Sequence, residues 1–386
     1  MNQENTDNVP KVLRQLQPIV LLAAVLLVGS NAFILSPILS DVAGALGTDS
    51  YRITWAISAF GAATAVSSLM LGSLVDRLPA SRVLGGAALL LALAQVLSSL
   101  SQHWLWLCLS QAVAGIAVGV LLPGSYVTAA ATAPKGREAA RLGLVLTGWA
   151  LALVLAVPLA AFISDWLGWR FVYVLLSGLS LFVGIGLFAA LPRSLSTAAV
   201  RTPVWRAFRL PGVAPVVAVI LMFMSAFYGS FAFFGEGMRA AFDLSTKGAG
   251  VFVMAYGLGF GLAGLGLSFA APQVNRRYLL MVLVAIAASY ACWHFALMSP
   301  VSAFLGTAIW GGLNQLGLNA LVVSLNRRAG TARGAVMGLN GAVTYSAVFA
   351  GPMLMGPLYE SAGFAGVTGM GAVLVLFAAL IAARSL

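Results

Sequence analysis

Long apolar runs separated by short polar stretches dominate this chain. They lie near 18–40, 54–75, 83–100, 105–132, 142–163, 171–191, 213–236, 248–271, 279–298, 301–324, 334–357 and 365–383. Within each run the apolar residues are continuous, as in LFVGIGLFAALP, and do not alternate with polar ones. About 20 apolar residues in helical form cross a bilayer, so the pattern predicts twelve membrane-spanning helices. A transmembrane barrel is excluded, because its strands alternate polar and apolar positions. The longest polar stretch, 193–212, parts six spans from six. It predicts units at 1–192 and 213–386 joined by a linker at 193–212.

Composition supports an all-α membrane protein. Of 386 residues, 61% are hydrophobic and 8% charged, against about 25% charged in soluble domains. The N-terminal MNQENTDNVPKVLRQLQ leads into a run too long for a signal peptide, so the first span is expected to be retained. With the N-terminus placed in the cytoplasm, all but Arg52, Arg170, Arg239 and Lys247 of the 21 Lys and Arg fall on that side. This asymmetry predicts an inner-membrane protein with both termini cytoplasmic. The net charge of +11 is spread in small clusters, which argues against a nucleic-acid partner. In the linker, Trp205 and Phe208 among Arg201, Arg206 and Arg209 suit either the inner leaflet surface or a plain tether. Trp104, Trp106, Trp166 and Trp169 are expected in an outer aromatic belt.

No enzyme chemistry is visible. P-loop, G-x-S-x-G and H-E-x-x-H motifs are absent, and Cys108 and Cys292 fall inside apolar runs without metal or disulfide spacing. No cofactor, metal or ATP is expected.

An internal repeat is present. GSLVDRLPASR (Gly72–Arg82) and GLSFAAPQVNR (Gly266–Arg276) are 194 residues apart, as are Val157-Pro158 and Gly351-Pro352. Asp41 and Glu236 are 195 apart, as are Arg52 and Lys247. The shared offset predicts two homologous six-helix bundles about a pseudo-two-fold axis along the membrane normal.

With Gly72-Ser73-Leu74-Val75-Asp76-Arg77 and Arg82 after span two, the sequence resembles the major facilitator superfamily, and within it the drug:proton antiporter-like branch. LSPILSDVAGALG (35–47), Gly168-Trp169-Arg170 and Gly351-Pro352 add to the likeness. The sequence departs at Gln111, where proton-coupled exporters often carry arginine, and at Val157, Ala160 and Ala161 around Pro158. The resemblance implies a monomer with a substrate path between two bundles, opened alternately to each side.

Candidate site residues follow from what is rare inside the spans. Only ten acids occur, and Asp41 and Glu236 each lie at the outer end of the first helix of a half. A central intramembrane charge costs about 2.5–3.5 kcal/mol, and less near the interface. Both acids read either as titrating sites where a proton or cationic cargo competes, or as interfacial acids facing water. Asp76, Arg77 and Arg82, with Arg141, read as an inner gate or as a solvated turn. Asn31, Gln111, Tyr126, Asn314, Asn340 and Tyr345 must find partners away from lipid, in a cavity or between helices. Trp149, Phe227, Tyr228, Phe231, Trp310 and Tyr345 are candidate contacts for amphipathic cargo, packing being the alternative. The reading favoured is proton-driven efflux of small apolar or amphipathic compounds. Alternatives are an exporter or facilitator of a polar metabolite (sugar, nucleoside or amino acid), a lipid translocase, or a membrane scaffold.

Overall fold

A computed structural model describes residues 11–71, 74–134, 136–191, 207–270, 273–330 and 332–385. The linker stretch 192–206, Gly72 and Ser73 of the motif after span two, and the side chains of Val75 and Asp76 lie outside what is described. Every regular element among the described residues is a helix.

The first half contains α1 (Lys11–Phe33), α2 (Leu35–Ala45), α3 (Ser50–Leu71), the short α4 (Leu74–Arg77), α5 (Ala80–Ser99), α6 (Trp104–Ala131), α7 (Glu138–Leu151), α8 (Val157–Leu167) and α9 (Trp169–Ala190). The second contains α10 (Val213–Phe242), α11 (Thr246–Ala270), α12 (Arg276–Ala291), α13 (Trp293–Ala296), α14 (Pro300–Arg328) and α15 (Arg333–Ser385). Among the described residues, ten helical stretches are long and apolar enough to cross a membrane. The 53-residue α15 breaks at Gly363, whose φ of 61° and ψ of −156° suit glycine, and so makes two passes. The 16-residue α12 supplies another, which brings the passes to the expected twelve.

Three spans depart from the single helices expected, the ninth because α12 ends at Ala291 and the short α13 follows from Trp293. The first begins at Lys11, earlier than its apolar run, and is interrupted at Ile34. Pro37 has no N–H to offer the Phe33 carbonyl one turn back. The fifth contains a π-helical turn, Ala152–Ala156, just ahead of Pro158, which likewise leaves the Val154 carbonyl without its partner.

Packing sorts the helices into two groups. In the first, α3 lies on α6, α5 on α6 and α9, and α1 on α7 and α9; in the second, α10 and α12 lie on α15, and α11 on α14. Across the groups α3 meets α15, α11 meets α8 and the π turn, and α2 meets α10. Glycine permits these crossings. A Cβ on Gly61 would stand 2.7 Å from the Phe349 nitrogen, one on Gly257 2.8 Å from the Leu153 carbonyl carbon, and one on Gly235 2.4 Å from the Ser36 carbonyl oxygen. Gly61 and Gly257 lie near the middle of their helices, and Gly235 lies toward the end that carries Asp49, Arg52, Asp243 and Lys247, called here the sealed end. The opposite, basic end carries Arg77, Arg82, Arg137, Arg327 and Arg328.

Candidate functional site

Between these ends, aromatic rings from both groups meet around Phe33. Its centroid lies 4.9 Å from Phe231, 5.9 Å from Trp149, 6.0 Å from Tyr228 and 6.1 Å from Phe227. Phe227 and Phe231 are one turn apart on α10 and share a face. Tyr256 of α11 stacks on Phe227 at 5.6 Å, and Trp310 of α14 meets Tyr256 edge-on at 4.9 Å. Such geometries add about 0.5–1.5 kcal/mol per pair beyond area burial. Trp149 Nε1 donates to the Tyr126 hydroxyl at 2.8 Å. Phe33, Phe227, Phe231 and Trp310 are buried, whereas Tyr126, Trp149 and Tyr228 are half-buried. Tyr345 of α15 meets Phe60 edge-on at 6.3 Å, and its buried hydroxyl has no hydrogen-bond partner.

The amides of the first group form a closed network. Asn31 Nδ2 donates to Gln111 Oε1 at 3.1 Å, and Gln95 Nε2 reaches Asn31 Oδ1 at 3.4 Å. Gln111 Nε2 reaches Ser98 at 3.1 Å and the Tyr173 hydroxyl at 3.4 Å, while Ser180 donates to Gln95 Oε1 at 2.8 Å. Asn31 and Gln111, expected along a cavity or between helices, are here buried ties among α1, α5, α6 and α9. In the second group, Asn314 Nδ2 donates to the Tyr256 hydroxyl at 3.2 Å. The Oδ1 atoms of Asn314 and Asn340 are buried without a partner.

Polar groups clasp the two groups together at the sealed end. Asp41 Oδ1 pairs with Arg239 Nη1 at 2.8 Å, with Arg239 21% and Asp41 30% exposed, and Asp41 also accepts the Thr246 hydroxyl. Glu236 Oε2 accepts the Ser50 hydroxyl at 2.6 Å. Ser36 donates to the Phe231 carbonyl and accepts the Gly235 N–H at 3.3 Å. The Lys247 ammonium sits 5.0 Å from the Phe162 ring centroid. The two acids singled out in the sequence therefore lie on one inter-group surface.

At the basic end Arg77 and Arg82 are exposed, and Arg82 borders an apolar groove lined by Leu71, Leu78, Leu90 and Ile116. Arg141 is half-buried, and its Nη1 has no hydrogen-bond partner. Glu138 Oε1 accepts the Gly136 N–H at 3.1 Å. In the expected aromatic belt, Trp106 and Trp166 are exposed, but Trp169 is buried edge-on to Tyr173, with the Arg170 guanidinium 4.3 Å from its ring centroid.

Phe33, Tyr256, Arg239, Ser50 and Thr246 are contacts that the sequence reading did not single out. Two of them carried a signal. Phe33 lies 194 residues before Phe227, the repeat offset itself, and Tyr256 belongs to an i, i+4 aromatic series with Phe252 and Phe260.

A helical membrane protein of two packed groups, sealed at one end over an aromatic core, has the architecture of a carrier. Residues 21–332 match the family described as Major Facilitator Superfamily. The chain belongs to that superfamily and is a multi-pass membrane transporter. It is 28% identical to the uncharacterized MFS-type transporter YwfA of Bacillus subtilis (strain 168), over 98% of this chain and 95% of the relative. It is 24% identical to YfhI of the same organism over 87% and 90% of the two chains. It is also 29% identical to a chloramphenicol resistance protein of Streptomyces lividans, over 47% of each chain. Its fold is similar to that of a bacterial homolog of the human lysosomal transporter Spinster, solved in an inward-facing and occupied conformation. That likeness has a TM-score of 0.76 at 16% identity and covers 98% of each chain.

Proposed function

We propose that this transporter is a proton-driven exporter of small apolar or amphipathic compounds, of the drug:proton antiporter-like kind, working by alternating access. The observation that carries the reading is the aromatic core around Phe33, built by both groups, with Tyr126, Trp149 and Tyr228 half-buried. Apolar rings with a few hydroxyls suit amphipathic cargo held mainly by area burial. The likeness to a chloramphenicol resistance protein supports efflux.

In this reading residues 1–192 and 213–386 are the two rocking bundles joined by the 193–212 linker. The chain acts as a monomer in the inner membrane with both termini cytoplasmic, so the sealed end faces outward. Protons couple through Asp41 and Glu236. Protonation of Asp41 removes its charge from the Arg239 pair, and protonation of Glu236 changes what it offers Ser50; both loosen the outer clasp. Asp76, Arg77, Arg82 and Arg141 form the inner gate that closes in the opposite state.

The test is expression in a drug-hypersensitive bacterium lacking its own exporters. Resistance to chloramphenicol and several unrelated lipophilic compounds is expected, and it should vanish with a proton uncoupler. Protection against one polar metabolite alone would favour a metabolite carrier instead. The unpartnered Asn314 and Asn340 oxygens are what such a carrier would use.

A further inference from the structure

We propose that the groove beside Arg82 seats an anionic phospholipid, with one acyl chain lying along α5 and the phosphate on the Arg82 guanidinium. The site uses residues of the first group alone, away from the aromatic core around Phe33, and depends on neither the cargo nor the direction of transport.

The groove holds about 250 Å³ between the end of α3, the α4 turn, α5 and α6. Arg82, Gly86 and Leu90 follow one another at single-turn spacing on α5, and Ile116 and Val120 of α6 line the groove with them. From Arg82 it therefore runs along α5 away from the basic end for about 12 Å of helix. Apart from Arg82, every lining residue is apolar. Its rim continues a stripe of exposed apolar positions on α5, namely Gly86, Leu89, Leu93 and Val96, spaced by three and four. In a membrane-spanning helix such a stripe faces lipid. Gly86 is an independent observation. At the adjacent Gly85 packing demands glycine, because a Cβ there would stand 2.6 Å from the Phe188 ring. A Cβ on Gly86 would meet nothing within 4 Å. Glycine inside a helix is unfavourable relative to alanine, and no protein contact explains it at 86. Its missing side chain widens the groove where an acyl chain would lie.

A hydrocarbon tail gains little by leaving other tails for this groove, because lipid is as apolar as leucine. Selection therefore comes from the headgroup. Among the described residues no carboxylate pairs with Arg82, and Arg77 at the end of α4 is exposed as well. A phosphate gives a guanidinium two oxygens in matching geometry. Zwitterionic lipids offer the same phosphate with a compensating cation, so a basic patch at the membrane surface favours lipids of net negative charge. Leu74 and Leu78 line the groove from α4 and the turn after it, so a seated chain props that turn against α5 and α6.

The experiment is photocrosslinking of the purified full-length protein in detergent micelles, where lipid reaches both faces, with phosphatidylglycerol carrying a diazirine on one acyl chain. Peptide mass spectrometry should map the adducts to 82–90 of α5 and 116–120 of α6. Unlabelled phosphatidylglycerol should compete at about fivefold lower concentration than phosphatidylcholine, the ratio expected for one charge at the membrane surface. Arg82→Gln should remove that preference. Gly86→Leu, whose side chain enters open space, should abolish the adducts at an unchanged thermal midpoint; if it unfolds, the lipid preference of Arg82→Gln decides alone. Adducts scattered evenly over the lipid-facing helices, or retained in folded Gly86→Leu, would overturn the site. Equal competition by both lipids in wild type, or a preference that survives Arg82→Gln, would overturn the anionic headgroup. Displacement of the probe by chloramphenicol and not by phosphatidylglycerol would make the groove a portal for cargo and overturn the proposal as well.

Discussion

Asp41 and Arg239, 198 positions apart in the chain, meet through a 2.8 Å ion pair that ties α2 to α10 across the sealed end. A charge-assisted hydrogen bond contributes about 1.5–3 kcal/mol net, and partial exposure places this one at the lower end. Asp41→Asn should therefore shift the balance away from the sealed state about tenfold. The readout is maleimide labelling, from the sealed face, of a cysteine at buried Ser36 in a background lacking Cys108 and Cys292. Labelling should rise severalfold in Asp41→Asn and in Arg239→Gln, and an unchanged rate would remove the clasp.

Two glycines separate closure from folding. A Cβ at Gly235 would press on the Ser36 oxygen and the Pro37 Cα at 2.4 and 2.5 Å, across the groups. One at Gly259 would press on the Ala308 oxygen at 1.8 Å, within the second group. Backbone atoms cannot swing aside, and overpacking costs about 1–3 kcal/mol. Gly259→Ala should lower the thermal midpoint in detergent by several degrees. Gly235→Ala should leave the midpoint nearly unchanged, reduce transport more than tenfold and raise Ser36→Cys labelling.

Phe33 contacts Trp149, Phe227, Tyr228 and Phe231 at once. Phe33→Ala should raise the apparent KM for aromatic drugs at least tenfold, from lost stacking plus lost burial. Phe33→Leu, which keeps apolar area, should fall between Ala and wild type. Equal KM values in all three would place cargo elsewhere.

The amide network makes the opposite prediction for Gln111. Truncation leaves Asn31 and Ser98 short of partners inside the first group, where a membrane hydrogen bond contributes about 0.6 kcal/mol and up to about 1.7. Gln111→Ala should reduce thermal stability modestly and leave the ranking of drugs unchanged. A changed ranking at unchanged stability would make Gln111 a cargo contact.

The helices were legible because hydropathy is local: twenty apolar residues announce a span whatever they pack against. Even the pause between the last two spans has a local cause in Gly363. The break at Ile34 was hidden because its cause, Pro37, sits three residues downstream inside an apolar run. The site was half legible. Polar residues in apolar spans flag themselves, but not which way they face. Gln111 was visible as an oddity, yet its partners Asn31 and Tyr173 lie 80 and 62 residues away. The repeat offset aligned Asp41 with Glu236, yet the charge partner of Asp41 is Arg239, three positions further on, a pairing only the packing of α2 on α10 creates.

The most direct test of proton-coupled alternating access is luminal pH in reconstituted proteoliposomes on addition of chloramphenicol, with wild type, Asp41→Asn and Glu236→Gln side by side. The account predicts a pH change of defined sign in wild type, strongly reduced in both variants while drug binding in nanodiscs persists. Drug movement without any pH change, or wild-type pH responses in both variants, would contradict it.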